Sequence, residues 1–345
     1  MNNYNFLKFI SLLILAFVWM QCVTPTRIVQ GLTEEKVEPS KDAYRVGFYN
    51  VENLFDTLNS PLKNDDEFTP QSKKNWNTER YNKKLGDLAK IIHKMGTPTL
   101  LGLSEVENRQ VCRDLAKQEA LKDAKYITIH QQSPDFRGID VALMYKKDEF
   151  RVETSDLIRI DFPIAIVEDY TTRDILYVKG ILDGLAEIHI FVNHWPSRRG
   201  GAEASEPKRV YVAEQLRKYT DKIFADDPDA HILIMGDFND ETDNKSTSVT
   251  LGDKFFNCMD ALDKAGEGTY NYRGDWSMLD HIIVSDVLHS GKLRLKVGEG
   301  KIFREEWMMF QSKKYGATPN RTYGGPNYYG GYSDHLPVYV DILSR

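Results

Sequence analysis

The chain has 345 residues, 41% of them hydrophobic and 28% charged, which excludes a low-complexity or fibrous protein and admits one large or two ordinary globular domains. A net charge of −6 and a pI near 5.8 argue against non-specific polyanion binding as the main role, while still admitting a nucleic-acid substrate in a local basic groove. The three cysteines form no Cys-x-x-Cys pair and no zinc-type spacing, so a structural zinc module is excluded as well.

Lys8 precedes an apolar run from Phe9 to Met20 broken only by Ser11. The run is too short to span a bilayer comfortably and has the length of a signal-peptide core. Cys22 follows at once, as in a lipoprotein signal whose cysteine is acylated, although Gln21 stands where a small residue is expected. Residues 1–22 thus read as a signal peptide or lipoprotein signal, 23–42 as a tether and 43–345 as the folded domain. The domain is expected to be exported to the periplasm, the cell envelope or the medium, with membrane attachment through Cys22; an uncleaved anchor is the alternative. Export permits a disulfide between Cys112 and Cys258, but two separate buried thiols are the simpler reading.

From residue 43 the pattern predicts a strand over 44–50, a turn over 51–56 and an exposed loop over 59–78, rich in Asn, Asp, Lys, Pro and Ser. Leu85, Leu88, Ile91 and Ile92 recur at helical spacing between 79 and 95, with Lys on the outer face, and Gly96 and Pro98 stop that helix. A buried strand over 99–105 ends on Glu105, a helix is predicted over 108–121, and strands over 126–130 and 141–145. Residues 150–192 carry β-branched runs of a meander that delivers the chain to His194. A basic loop over 196–201 leads to a helix marked by Val210, Ala213, Leu216 and Tyr219. Strands follow over 232–236 and 277–284, and a Gly/Tyr/Asn-rich loop over 315–333 ends in a last strand. With no internal repeat and no linker after residue 43, this is one domain of sheets covered by helices.

Polar residues stand at the ends of these strands: Asn50, Glu105, His194, Asp237 with Asn239, Asp280, and Asp334 with His335. The apolar run Ile232-Leu233-Ile234-Met235 enters Gly236-Asp237-Phe238-Asn239, and period two sends Asp237 and Asn239 to one side; a plain Asx turn is the alternative. Strand ends in layered folds are where distant side chains converge. Four carboxylates, two amides and two imidazoles gathered there would form a hard-oxygen environment suited to Mg²⁺ or Mn²⁺. Such an acidic site repels a phosphate ester unless a divalent cation neutralises it, and the same cation polarises the phosphoryl oxygens. The requirements together describe hydrolysis of a P–O bond.

Six motifs stand in order: Phe48-Tyr49-Asn50, Gly102-Leu103-Ser104-Glu105, Asn193-His194-Trp195, Gly236-Asp237-Phe238-Asn239, Leu279-Asp280-His281-Ile282 and Ser333-Asp334-His335-Leu336-Pro337-Val338. Over residues 44–343 the chain resembles the endonuclease/exonuclease/phosphatase superfamily, the group of deoxyribonuclease I, exonuclease III and neutral sphingomyelinases. The resemblance implies an α+β fold, a four-layer α/β/β/α sandwich of two packed, mostly antiparallel sheets flanked by helices, with the site at one end. It places Asn50, Glu105 and Asp334 at the metal ion. It gives Asp237, helped by Asn239, the attacking water, and it gives His335, oriented by Asp280, the phosphate. His194 would assist the leaving oxygen, as in the deoxyribonuclease I and sphingomyelinase branches.

A second set of candidates comes from the loops. Asp140 is expected to orient His194, Arg137 to hold a phosphate bidentately, and Arg198 and Arg199 to contact substrate; solubility alone is the competing explanation. Tyr323, Tyr328, Tyr329 and Tyr332 either stack bases or sugar rings or pack under their own glycines. Asn50 is preferred to Asn53 for the first motif, and Glu107 and His281 read as bystanders. The leading expectation is an exported, divalent-metal-dependent phosphodiester hydrolase, an endonuclease on DNA or RNA. The rivals are a phosphodiesterase or phosphatase for phospholipid head groups or small phosphate esters, and a catalytically silent binding module. No protruding apolar hairpin speaks for a lipid substrate, and no protein partner is expected.

Overall fold

The computed structural model describes residues 36–40 and 42–344; the signal-type segment, Cys22 and most of the tether lie outside the described residues. The main strands are β1 (Ala43–Leu54), β2 (Leu100–Val106), β3 (Tyr126–His130), β4 (Asp140–Lys146), β5 (Phe150–Ile158), β6 (Ile175–Leu182), β7 (Ala186–His194) and β8 (Ile232–Asp237). The main helices are α1 (Thr78–Lys94), α2 (Arg109–Ala116) and α3 (Ala202–Asp226). One sheet runs in the order Leu295–Val297, Val338–Ser344, β1, β2, β4, β3. The other runs β5, β6, β7, β8, Asp280–Ser285, Phe255–Asn257. In these two sheets β1 with β2 and β7 with β8 are parallel and the other pairs antiparallel.

Strand alternation sorts the apolar side chains into layers. Val46 and Phe48 of β1, Ile188, Ile190 and Val192 of β7, and Leu233 and Met235 of β8 meet between the sheets. On the opposite faces, Leu101 and Leu103 pack with Leu85, Leu88 and Ile92 of α1 and with Val111 and Leu115 of α2. Ile232 and Ile234 pack with Val212, Ala213 and Leu216 of α3. The result is the expected four layers, helix, sheet, sheet, helix, and each buried Leu or Ile side chain contributes about 1.5–3 kcal/mol. Asn77 starts α1 by accepting from the Arg80 amide, and Asn108 starts α2 by accepting from Gln110 and Val111.

Several elements depart from the sequence-based expectation. β1 continues as strand through the predicted turn to Leu54, with left-handed backbone at Glu52 and Asn53 (φ 48° and 54°). The 59–78 segment is anchored rather than fully exposed, because Phe68 stacks on Phe55 at 4.1 Å and the buried Trp76 donates its indole N–H to the Phe55 carbonyl. Lys84 lies on the inner face of α1, four residues before Leu88, and is buried. α2 ends at Ala116 and gives way to a 3₁₀ segment, Glu119–Ala124, since Leu115 and Leu121 are six apart and cannot share one α-helical face. α3 buries Val212, Ala213, Leu216 and Thr220, so its inner face is turned away from Val210 and Tyr219. Residues 275–277 pair with 270–272 in their own hairpin, and the last part of the predicted 277–284 strand is Asp280–Ser285. Cys112 and Cys258 are both free and buried, one beneath the helices and the other between the sheets.

Candidate active site

The inward parity of the core strands carries straight into the site. Asn50 follows Val46 and Phe48 at period two, His194 follows Ile190 and Val192, and Asp237 follows Leu233 and Met235. Asp237 is in register with His194 on one side and Asp280 on the other, so three neighbouring strands present a row of polar groups at one rim of the inter-sheet core. Gly236 makes this row possible: a Cβ there would lie 2.5 Å from the Asn193 carbonyl oxygen.

Glu105 reaches the site by a different device. Parity would send it outward with Leu101 and Leu103, but the register of β2 on β4 shifts between Ser104 and Val106, and Glu105 takes a left-handed φ of 60°. Such a bulge re-aims a side chain at a cost on the order of 1 kcal/mol of backbone strain. The turned carboxylate accepts the Asn53 amide at 2.9 Å, which leaves Asn50 as the residue facing Asp237.

The hydrogen bonds tie these residues into one group. The Asn50 side-chain amide donates to Asp237 Oδ2 at 3.0 Å, and Asp237 Oδ1 accepts the Asn239 amide at 2.9 Å. His194 Nε2 and His335 Nε2 stand 3.6 and 3.9 Å from Asp237 Oδ2. His335 Nδ1 bonds Asp280 Oδ2 at 2.7 Å, while the other Asp280 oxygen is buried without a protein partner. Asn239, itself at φ 51°, donates to the Trp195 carbonyl at 3.1 Å. Asp334 accepts from Arg321 at 2.5 Å, and Ser333 donates to the Asn50 carbonyl at 2.7 Å, which fastens the last motif to the first.

Electrostatics follow from burial of so many acids. Burial raises the Asp237 carboxyl to about 7 against the counter-pull of His335. Burial, with Asp334 nearby, also raises Glu105, and Arg137 opposes it. Burial alone would lower His335, but Asp280, Asp237 and Asp334 outweigh it and hold the imidazole well above its ordinary value. His194 goes the other way: burial, then the charges of Arg173 and Arg137, push it well below the ordinary range, so it is neutral. His335 is therefore the cationic imidazole and His194 the neutral one.

Among the described residues, Asp237, Asp280 and His335 are the cluster whose ligating atoms all lie within 4.8 Å of one another. A cationic imidazole already bonded to Asp280 is a poor metal ligand, so this trio reads better as a proton-handling group. The carboxylate oxygens of Glu105 and Asp334 and the side-chain oxygen of Asn50, although each residue already accepts a hydrogen bond, are the donor types that a hard divalent ion prefers.

The loop candidates separate. Asp140 does not orient His194: its carboxylate bonds His130 Nε2 at 3.0 Å and accepts from both the amide and the hydroxyl of Ser133. The reason is topological, since β4 lies beside β3, which ends on His130, whereas His194 ends a strand of the other sheet. Arg198 braces the loop after β8, donating to the Asn239 carbonyl at 2.8 Å and to Asn244, and Arg199 is exposed. Arg137 is part-exposed beside Asp135, and its charge bears on Glu105 and His194. The aromatic loop packs onto the rest of the domain: Tyr323 is buried against Trp76 and Tyr328, Tyr332 lies against Trp307, and Tyr329 alone of the four is well exposed. Glu107 turns instead to the Asp56 amide, and His281 stacks on Phe238, away from the site.

Four supporting residues were not singled out from the sequence. Arg173 is buried, pairs with Asp135 at 3.2 Å and donates to the carbonyls of His194 and Trp195. Arg321 holds Asp334, and buried Lys84 and Glu52 together grip the segment at Thr322 and Tyr323. Lys84 carried a signal, its helical spacing from Leu88; the others had none that a single sequence displays.

The family profile described as Endonuclease/Exonuclease/phosphatase family matches residues 45–344. The chain belongs to the endonuclease/exonuclease/phosphatase family. Among solved structures, a family member from Bacteroides thetaiotaomicron is similar at 18% identity and TM-score 0.54, over 88% of this chain and 98% of that one. TDP2 from D. rerio, complexed with a single-strand DNA product, is similar at 15% identity and TM-score 0.55, over 88% of this chain and all of that one (100%). A mannosyl-6-phosphatase from Bacteroides thetaiotaomicron is similar at 17% identity and TM-score 0.54, over 87% and 99%. These likenesses show the deoxyribonuclease I-like fold. No curated protein matches by sequence. Among the described residues no helix of this family member is long and apolar enough to cross a membrane.

Proposed function

We propose that this domain hydrolyses phosphate esters with the help of a divalent cation, Mg²⁺ first and Mn²⁺ as an alternative. The observation that carries the reading is the row His194, Asp237 and Asp280 facing Asn50, with His335 bridging Asp280 and Asp237. Glu105, Asn50 and Asp334 would hold the cation, which when bound neutralises the acids and polarises the phosphoryl oxygens. Asp237, with a raised proton affinity, accepts a proton from water, and Asn239 fixes the turn that aims it. His335, kept cationic by Asp280, donates to a non-bridging phosphate oxygen. Neutral His194 beside Asp237 would assist the leaving oxygen by donating an N–H hydrogen bond to it.

A phosphodiester of DNA or RNA is the substrate first suggested by the sequence. Similar structures carry names for both a DNA product and a sugar phosphatase, so the fold houses both kinds of ester. The full chain is assayed with Mg²⁺ on plasmid DNA, RNA, sphingomyelin and chromogenic phosphate esters. Turnover is expected to vanish with a chelator and with Asp237→Ala. Turnover that survives both refutes the assignment, and wild-type protein no more active than Asp237→Ala would favour a silent binding module.

We also propose that the domain acts outside the cytoplasm, tethered through Cys22; support comes from residues 8–22. Labelling with a fatty-acid analogue that persists in Cys22→Ser would refute the tether.

A further inference from the structure

Thr269 and Tyr270 tie a small hairpin directly to the catalytic residues. The Thr269 carbonyl accepts the Leu336 amide at 2.8 Å, Tyr270 forms an antiparallel bridge to His335, and the rings of that pair lie 5.0 Å apart. Arg321, held by Asp334, borders the Tyr270 hydroxyl. The strand Tyr270–Tyr272, paired with Asp275–Ser277, therefore starts at the phosphate site and leads away from it.

Period two puts Tyr272 on the same face as Tyr270, about 6.6 Å further along the strand, and its ring is 57% exposed. Arg273 and Gly274 make the two-residue turn, both with left-handed backbone (φ 57° and 105°), a turn whose twist matches that of the strands. The Arg273 guanidinium lies over the Tyr272 ring, 5.1 Å from its centroid. A second hairpin, Met309–Ser312 with Gly316–Pro319, packs beside the first. The two tips meet: a Cβ on Gly274 would lie 3.6 Å from the Tyr315 carbonyl oxygen. Lys314 lies over the Tyr315 ring at 4.9 Å, and both it and Lys313 are exposed.

At the tips three cations, Arg273, Lys313 and Lys314, stand against one acid, Asp275, which lies across from Tyr272. The other acids of these segments are Glu267, paired with Arg304 at 2.8 Å, and Glu305 and Glu306 at the foot of the second hairpin. The balance at the tips favours a polyanion, and the two rings favour one that carries flat groups. A duplex keeps its base faces in its own stack, whereas a single strand can lay them on tyrosines. Cations for the phosphates and rings for the bases, side by side, are the recognition mode of single strands without base preference.

We propose that the two tips form a track for single-stranded nucleic acid: bases lie on Tyr272 and Tyr315, while phosphates next to the one being cleaved run along Arg273, Lys313 and Lys314. The inference rests on the phosphoester-hydrolase reading above and names its substrate. Cleavage itself is unchanged. The water oxygen bonds to phosphorus, one P–O ester bond of the strand breaks, and the departing oxygen gains a proton as the water loses one.

The full chain with Mg²⁺ is assayed on a mixed-sequence single-stranded oligonucleotide, the same sequence as a duplex, and bis-p-nitrophenyl phosphate. The single strand is expected to show a kcat/KM about tenfold or more above that of the duplex. Tyr272→Ala, and Lys313→Gln combined with Lys314→Gln, should each lower the ratio of kcat/KM for the single strand to that for the small diester by about tenfold, through KM. Tyr272→Phe, which keeps the ring, should keep the ratio. A duplex cleaved as well as the single strand, or alanine and glutamine variants that leave the ratio unchanged, overturns the track and leaves the hydrolase standing. So does a small diester that is cleaved when the oligonucleotide is not. Variants that keep the ratio but lose sedimentation with phosphatidylglycerol vesicles assign the tips to a membrane surface instead. Absence of turnover on every ester, with Mg²⁺ or Mn²⁺, overturns both.

Discussion

Asp237 adjoins Asn50, His194, Asn239, Asp280 and His335, and its raised proton affinity comes from burial. In the proposed mechanism its carboxyl, raised to about 7, is deprotonated so that it takes a proton from water, whereas His335 stays protonated. Turnover should therefore climb as pH rises through the neighbourhood of 7 and fall again only above the raised pKa of His335; a rate that peaks near pH 5 contradicts these roles. Asp237→Asn should reduce kcat on the order of 10³–10⁴-fold with an unchanged circular-dichroism spectrum. At this scale the sequence was most legible where a residue follows its strand's parity, as Asn50, His194, Asp237 and Asp280 do. It misled at Asp140, because which imidazole an aspartate meets depends on which strands are neighbours, and it was silent on Arg173, whose partners are two backbone carbonyls and an aspartate 38 residues away in the chain.

Among the elements, two glycines make contrasting demands. A Cβ at Gly236 meets the Asn193 backbone at 2.5 Å, whereas one at Gly102 meets the flexible Met235 sulfur at the same distance. Gly236→Ala should cost about 1–3 kcal/mol in urea unfolding and Gly102→Ala distinctly less, since a methionine can shift and a strand cannot. Equal losses would mean that the sheets yield as easily as a side chain. Strands and α1 could be placed from periodicity, because their apolar positions repeat cleanly. Bulges could not: the two left-handed residues near the end of β1 and the turned Glu105 arise from strand pairing, which a local pattern does not contain.

For the whole molecule, the crowded acids make stability depend on pH. Asp237 and His335 both have folded pKa values above their unfolded ones, so each contributes stability that is complete below its unfolded pKa and is lost as pH rises through the folded one. Metal-free protein should thus melt at lower temperature at pH 9 than at pH 6. Mg²⁺ should raise the melting temperature more at pH 9, where the acids are fully ionised and bind it best. A Mg²⁺ effect larger at pH 6 would show that the ion binds elsewhere. The layered architecture itself was implied by the six motifs, while the strand order that brings both sheets to one rim became visible only in three dimensions.

The alignment of His194, Asp237 and Asp280 across three adjacent strands has a consequence for folding. Sliding the middle strand by a single position would swing its aspartate to the helix side and leave the two flanking groups opposite nothing useful. Recovered turnover after dilution from denaturant is thus an internal proofreading signal: it should lag behind the return of secondary structure by however long the chain takes to discard its misthreaded sheets.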